Sequence, residues 1–382
     1  MQKKLKIALL VPSLNGGGAE RVIVNLANYF NRQKESTVWI ITTQKGVYFD
    51  ILDYDIMRYF LPDLNLRIFN LNILKSVSQL ISLCLFLIIN KPDILMSTTH
   101  SSNILGPIAK ILTGVKTKVV VRTANTFDDF RVEKLSLRQR LYLRVLKLSY
   151  YLADFHIANS PDTKKDVNFF CCVPKENIKV IPNPVYDPKI ENLSLEKIGH
   201  KWIDNGCKYI VSAGRLHPQK DFDTLLMAFY ELQAKHDVKL IILGTGDQEK
   251  RLKELVKKLG IAEKIDFVGF QTNPYPYFKN AQVFVLTSRW EGFGNVLVES
   301  LAVGTPIVSS DCSGGPRFIL KDGMYGTLVN IGNSQGFADA IEQVLLNQNI
   351  YPKEFLIKRA KDFSIDEIGE YYFNEFISIL NI

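Results

Sequence analysis

Cysteine is scarce and unpatterned in this chain. There are five (Cys84, Cys171, Cys172, Cys207 and Cys312), an odd number with neither metal-ligand spacing nor a disulfide framework. This excludes a small stapled fold and suits a reducing cytoplasm. Long apolar runs are also missing. The longest, Val77–Ile89, is interrupted by Gln79 and falls short of the roughly 20 residues that a spanning helix needs. The opening segment, Met1–Pro12, is a short basic stretch followed by a strand-like run. It has no small-residue cleavage site, so no signal peptide is expected. No low-complexity tract and no repeat of solenoid length occurs, which excludes a disordered chain and a stacked-repeat array.

What remains is globular. The 382 residues are 47% apolar and 23% charged, enough chain for two domains with substantial cores. Charge is unevenly divided. Residues 1–185 carry 25 Lys and Arg against 14 Asp and Glu, a net of +11, while 186–382 carry 22 against 25, a net of −3. A basic first half points to an anionic partner: membrane phospholipid, a lipid pyrophosphate or nucleic acid. Nucleic acid is disfavoured, because no recognised binding module or aromatic–basic platform is present.

Both halves alternate short apolar runs rich in Val and Ile with helical stretches. In the first half the runs are 5–11, 37–42, 93–97, 118–122, 155–158 and 178–181; in the second they are 209–212, 239–243, 265–268, 283–286, 306–309 and 327–329. Continuous apolar runs of this length read as buried parallel strands. Their alternation with helices predicts an α/β chain of two Rossmann-like domains facing each other across a cleft. Pro182, Pro184 and Pro188 fall within eight residues, and proline interrupts both helices and sheets. The expected boundaries are 1–185 for the first domain, 186–206 for a linker and 207–364 for the second domain. A helix over 365–382 can cross back to the first.

Three loops carry chemistry. Ser288-Arg-Trp-Glu-Gly-Phe-Gly-Asn-Val-Leu-Val-Glu299 follows a strand and runs into a helix. Gly292 and Gly294 let backbone approach a ligand. The amides around Gly294, Asn295 and Val296 form a helix N-terminus suited to a diphosphate. Ser212-Ala-Gly-Arg-Leu-His-Pro-Gln-Lys220 sets Arg215 and Lys220 beyond another strand of the same domain. Alone these would be ordinary loop charges; beside the Glu-containing loop they make a diphosphate clamp. Asn15-Gly-Gly-Gly-Ala-Glu-Arg21 opens the first helix, and Gly16 and Gly17 can approach a phosphate or sugar. It is neither a Walker loop nor a dinucleotide fingerprint. Gly244 follows a further strand, where tight helix-on-sheet packing is the alternative reading. Asp53-Tyr-Asp55 and Asp221-Phe-Asp223 match an Asp-x-Asp metal motif, but Asp221 reads better as a helix cap, and no metal site is expected.

Taken together, the glycine-rich first turn, Ala-Gly-Arg followed by Lys220, and Glu291-x7-Glu299 ending in Gly-Thr-Pro resemble family 4 glycosyltransferases, which are retaining and have the GT-B fold. Val180-Ile-Pro-Asn-Pro184 and the segment 310–320 extend the resemblance along nearly the whole chain. It implies that the first domain takes the acceptor and the second the nucleotide sugar. By the same resemblance Arg215 and Lys220 hold the donor diphosphate, Glu291 lies beside the donor sugar, and Glu299 binds the ribose hydroxyls. Gly16, Gly17, Gly244, Gly292, Phe293, Gly294, Asn295 and Val296 complete the donor site. Many relatives place a histidine where Ala124 stands; His100, Arg122 and Asn125 are the acceptor-side candidates here. The reaction expected is metal-independent transfer, without a cofactor, from a nucleoside diphosphate sugar. The donor is expected to be UDP-linked and to carry an N-acetylhexosamine, because Gly315-Pro-Arg-Phe-Ile-Leu320 resembles N-acetylgalactosamine-transferring members. The acceptor would be a glycan or a polyprenyl-diphosphate-linked sugar in surface polysaccharide or oligosaccharide assembly. A sugar-nucleotide epimerase of the same fold and a non-catalytic sugar- or lipid-binding module are the alternatives; a dehydrogenase would need the missing fingerprint.

Residues 131–148 read as a basic amphipathic helix. Leu137, Leu141, Val145 and Leu148 form a stripe between Arg131, Lys134 and Arg138 on one side and Arg140, Arg144 and Lys147 on the other. An apolar stripe between cationic rows suits a bilayer interface, while Leu135, Tyr142 and Leu146 can pack on the sheet. The expected location is cytoplasmic, at the inner face of the membrane.

Overall fold

The computed structural model describes residues 4–62, 72–131, 135–347 and 350–380. The chain divides into two compact units, Met1–Pro184 with Ile365–Ile382, and Val185–Ser364.

In the first unit the strands are β1 (Leu5–Leu10), β2 (Ser36–Thr42), β3 (Met57–Phe60), β4 (Ile94–Thr98), β5 (Lys118–Thr123), β6 (Phe155–Ala158) and β7 (Ile178–Val180). They form one sheet in the order β3-β2-β1-β4-β5-β6-β7, with every pairing parallel. The helices are α1 (Gly18–Arg32), α2 (Asn72–Asn90), α3 (His100–Thr113), α4 (Leu137–Leu152) and α5 (Pro161–Cys171). Side-chain alternation along β1 builds two layers. Ile7 and Leu9 pack with α1 and the returning C-terminal helix, whereas Ala8 and Leu10 join Leu83, Phe86, Ala109 and Leu146 from α2, α3 and α4.

The second unit holds α6 (Lys189–Leu193), α7 (Lys201–Asp204), β8 (Tyr209–Ala213), α8 (Phe222–Gln233), β9 (Lys239–Leu243), α9 (Glu249–Lys258), β10 (Ile265–Gly269), α10 (Tyr275–Lys279), β11 (Val283–Leu286), α11 (Asn295–Ala302), β12 (Ile307–Ser310), α12 (Pro316–Ile319), β13 (Thr327–Val329), α13 (Ser334–Leu346) and α14 (Lys353–Lys361). Its sheet runs β10-β9-β8-β11-β12-β13, again parallel throughout. Val211 and Ile241 face α10 and α11; Ile210 and Leu240 face α8, α9 and α13.

Three sequence expectations are corrected. Residues 186–206 are not a free linker, because Ile190 of α6 and Trp202 of α7 are buried in the core around β8. Their polar neighbours hide two anchoring side chains. The edge strand β3 has no counterpart among the apolar runs of the sequence, since it pairs only with β2 and has no fully buried residue. The basic helix begins at Leu137, not 131, with Ser136 as its cap: the Oγ accepts from the Gln139 amide at 3.2 Å. Lys134 lies outside the described residues. The final helix, α15 (Ile365–Leu380), belongs to the first unit, where Phe376 sits 5.4 Å from Phe30 of α1, ring to ring. Among the described residues no helix is long and apolar enough to cross a membrane.

Candidate active site

Strand order decides which loops meet. In the second sheet the direction of winding reverses between β8 and β11, and the loops leaving the carboxyl ends of these neighbours flank the usual ligand crevice of such sheets. The β8 loop carries Arg215 and Lys220; the β11 loop carries Glu291 and leads into α11. The structure brings them into contact. Lys220 Nζ lies 2.5 Å from Glu291 Oε1, and Ser288 donates its hydroxyl to the same oxygen at 2.6 Å. Both contacts fall on Oε1, so Oε2 is the oxygen that can turn to a ligand.

The two loops are tied by further bonds. Thr287 Oγ1 donates to the Lys220 carbonyl at 2.9 Å, the Arg289 amide to the Gln219 carbonyl at 2.8 Å, and Gln219 Nε2 to the Trp290 carbonyl at 2.9 Å. From β12, Ser310 donates to the Ser288 carbonyl at 2.6 Å. Ser288, Ser310 and Glu291 are all buried. Sequence reasoning missed Ser288 and Ser310 as supporting groups; the only available signal was Ser-x-x-Glu spacing after an apolar strand. A cation and carboxylate so placed are preorganised before any ligand arrives.

Glycine enters this site where backbones touch. A Cβ on Gly314 would lie 1.8 Å from the Glu291 carbonyl oxygen, and one on Gly315 1.8 Å from that of Phe293. The loop after β12 therefore presses directly on the Glu291 loop. Gly294 takes φ 92° at the cap of α11, a conformation that side-chain-bearing residues seldom adopt. Asn295 and Val296 open α11, at the end of the helix where backbone amides gather, and Glu299 lies half-buried one turn further on. Arg215 is exposed at the loop tip.

Some expected donor residues have other work. Phe293 is buried, with its ring 5.6 Å from Phe363, so only its backbone can meet a ligand. Gly244 serves loop packing: a Cβ there would sit 2.1 Å from the Gly214 carbonyl oxygen, which seats the β9 loop beneath Arg215. Asp221 forms its cap through the backbone, with its carboxylate accepting from Thr224 at 3.0 Å and lying 3.3 Å from Arg289. Asp223 is held by both terminal nitrogens of Arg251. That fork holds its carboxyl below the ordinary range.

In the first unit the winding reverses between β1 and β4. Gly16, at φ 108°, and Gly17 follow β1. The Gly17 amide donates to Glu20 at 2.8 Å, which fixes the loop at the start of α1. His100 follows β4 and opens α3, with its ring 4.8 Å from Phe127. Just before it, Thr99 holds φ 75°, an outlier for a β-branched residue and the kind of strain kept at functional turns. Asn125 is exposed beyond β5, beside buried Ala124. Arg122 is corrected. It is fully buried, donating to Tyr372 Oη at 3.0 Å, Thr98 Oγ1 at 3.1 Å and Asn183 Oδ1. All three guanidinium nitrogens are engaged inside the unit, so this side chain is an internal tie and does not face an acceptor.

Comparison with known proteins agrees with this fold. The model for "Glycosyltransferase Family 4" matches residues 16–187, and that for "Glycosyl transferases group 1" matches 196–363. The chain belongs to the family 4 glycosyltransferases and is an enzyme that transfers a glycosyl group. It is 29% identical, over 89% of its length and 90% of the relative's, to the N-acetylgalactosamine-N,N'-diacetylbacillosaminyl-diphospho-undecaprenol 4-alpha-N-acetylgalactosaminyltransferase of Campylobacter jejuni. It is 26% identical to the UDP-Gal:alpha-D-GlcNAc-diphosphoundecaprenol alpha-1,3-galactosyltransferase of Escherichia coli, over 97% of both chains. Among solved structures, HepE of Anabaena in complex with UDP-glucose superposes with a TM-score of 0.80 at 21% identity, covering 98% of this chain and all of that one. The architecture is thus that of GT-B transferases, two parallel-sheet Rossmann-like domains.

Proposed function

We propose that this enzyme is a retaining, metal-independent transferase that moves an N-acetylhexosamine from a UDP-sugar to a polyprenyl-diphosphate-linked or glycan acceptor. It would act from the cytoplasmic side, at the inner face of the membrane. The observation that carries the reading is the Lys220–Glu291 pair across the β8/β11 switch, with Arg215 on the same loop as Lys220 and α11 following the Glu291 loop. Breaking the anomeric C–O bond sends its electron pair to the departing diphosphate and leaves positive charge on the sugar ring. Lys220, Arg215 and the helix amides receive the first charge, and Glu291 supports the second. Each such preorganised group is worth about 3–4 kcal/mol, by analogy with a lost oxyanion-hole donor. The acceptor hydroxyl attacks from the face the diphosphate leaves and passes its proton to that diphosphate. Glu299 would hold the ribose.

The donor and acceptor assignments draw on relatives whose names specify undecaprenyl-diphosphate-linked substrates. Those relatives differ in the sugar transferred, N-acetylgalactosamine in one and galactose in the other, so the sugar needs its own test. Metal independence draws support from the two aspartate pairs. Asp221 and Asp223 already face arginines, and Asp53 lies before the exposed edge strand β3. The apolar stripe of α4 stays outside, with Leu137, Leu141, Val145 and Leu148 exposed, while Leu146 is buried beneath; this supports peripheral membrane contact.

The test is transfer from a panel of UDP- and GDP-sugars to a short-chain polyprenyl-diphosphate glycan, with and without EDTA. Product with an unchanged anomeric configuration, formed in EDTA from UDP-N-acetylhexosamine, is expected. Activity that vanishes in EDTA and returns with Mn²⁺ would overturn the metal-independent reading. An inverted product would overturn retention.

A further inference from the structure

Helix α2 is apolar on both of its faces. Leu83, Phe86 and Leu87 are buried against the sheet, yet Leu74, Val77, Ile81, Leu85 and Ile88, at helical spacing on the opposite side, are exposed, Ile81 by 57%. A helix that is apolar all round belongs inside a protein or against lipid, and one that leaves half its apolar surface outside is missing a partner. It is not an isolated stripe. Helix α3 packs between α2 and α4 and adds Ile111 and Leu112, and α4 contributes the stripe already described.

Charge decides the partner. Across α2, α3 and α4 there is no Asp or Glu, but there are Lys75, Lys110, Arg138, Arg140, Arg144 and Lys147. Lys110 is held by Asp154 at 2.6 Å; the four cations of α4 are exposed. A two-fold contact with a second copy would lay this face on itself and oppose cation to cation. A bilayer of anionic phospholipid satisfies both components, taking aliphatic side chains into the acyl boundary and cations among phosphates.

We infer that α2, together with α3 and α4, forms one broad membrane-inserting face, in which α2 supplies apolar insertion and α4 supplies most of the electrostatic attraction. This rests on the membrane reading above and extends it to a helix with only one basic residue. The experiment is co-sedimentation of the full chain with phosphatidylglycerol vesicles and with phosphatidylcholine vesicles. The variants are Ile81→Glu/Leu85→Glu and the milder Ile81→Ser/Leu85→Ser on α2, and Leu141→Glu/Leu148→Glu on α4. Transfer to a short-chain acceptor without vesicles confirms that each variant is folded.

The native chain is expected to bind the anionic vesicles and not the neutral ones. Both α2 variants should lose about tenfold or more in partitioning, as when two aliphatic side chains stop inserting. Undiminished binding of both α2 variants alongside loss in the α4 variant would overturn the inference and leave peripheral contact standing. Failure of the native chain to bind anionic vesicles would overturn both. A dimer in solution that the α2 changes dissociate, without any vesicle binding, would assign the face to a second copy instead.

Discussion

At the scale of single residues, Glu291 stands out because two donors meet on one of its oxygens. Replacing it with Gln keeps the shape but removes the charge that balances Lys220 and that the proposed mechanism sets against the sugar ring. The Glu291→Gln enzyme should lose roughly a hundredfold in kcat with a smaller change in donor KM, measured by steady-state transfer. Ser288→Ala should act in the same direction but less, about tenfold in kcat, because it releases the orientation of a carboxylate that remains. Glu299→Ala should instead raise donor KM, which is what the proposed ribose contact, made in ground and transition states alike, requires. Kinetics unchanged in all three would remove the site. That Lys220 and Glu291 meet at one end of the sheet was foreshadowed in the chain, because both stand in loops that directly follow apolar strands of the same domain. Ser288 and Ser310 were not, since a serine after a strand usually marks only a turn.

Elements explain why several glycines and one arginine are where they are. The loop from β12 lies on the Glu291 loop with no room for a methyl group at Gly314 or Gly315. Gly315→Ala must displace the Phe293 carbonyl, and it should cost about 1–3 kcal/mol in denaturant unfolding and weaken donor binding together. A stability loss that spared donor affinity would show the two loops to be independent. Arg122 ties β4 through Thr98, the segment after β7 through Asn183 and α15 through Tyr372. Lysine cannot reproduce that fork, so Arg122→Lys should destabilise the chain by about 2–3 kcal/mol, read from its urea midpoint. In sequence, Arg122 ends an apolar strand and resembles a site residue; only its surroundings show that its nitrogens are engaged.

At the scale of the whole molecule, acid sensitivity has an identifiable contributor. His156 lies buried with its ring stacked on Tyr150, 5.7 Å between centroids. Burial lowers its pKa from 6.5 to about 4, with nearby Asp154 opposing the shift. The unfolded chain then binds a proton that the native protein refuses. Stability is full above the unfolded value and is lost as pH falls from 6.5 towards 4, by about 3 kcal/mol in all. His156→Phe, which keeps a ring against Tyr150, should flatten the decline in thermal midpoint across that interval. An equally steep decline in the variant would assign the acid sensitivity elsewhere.

The order of residues alone determined that two parallel sheets would form, because runs such as 240–243 and Val283–Leu286 are apolar on both faces and as short as strands. It also marked the candidates for a diphosphate site, since glycine loops, cations and carboxylates at strand ends are local features. Tertiary structure decided the rest: that Ile190 and Trp202 anchor an otherwise polar stretch, that Phe293 turns into the core, that Arg122 is spent internally, and that α2 shows apolar side chains outward. Burial and partnership arise from segments far apart in the chain, and spacing along one segment carries no record of what packs against it.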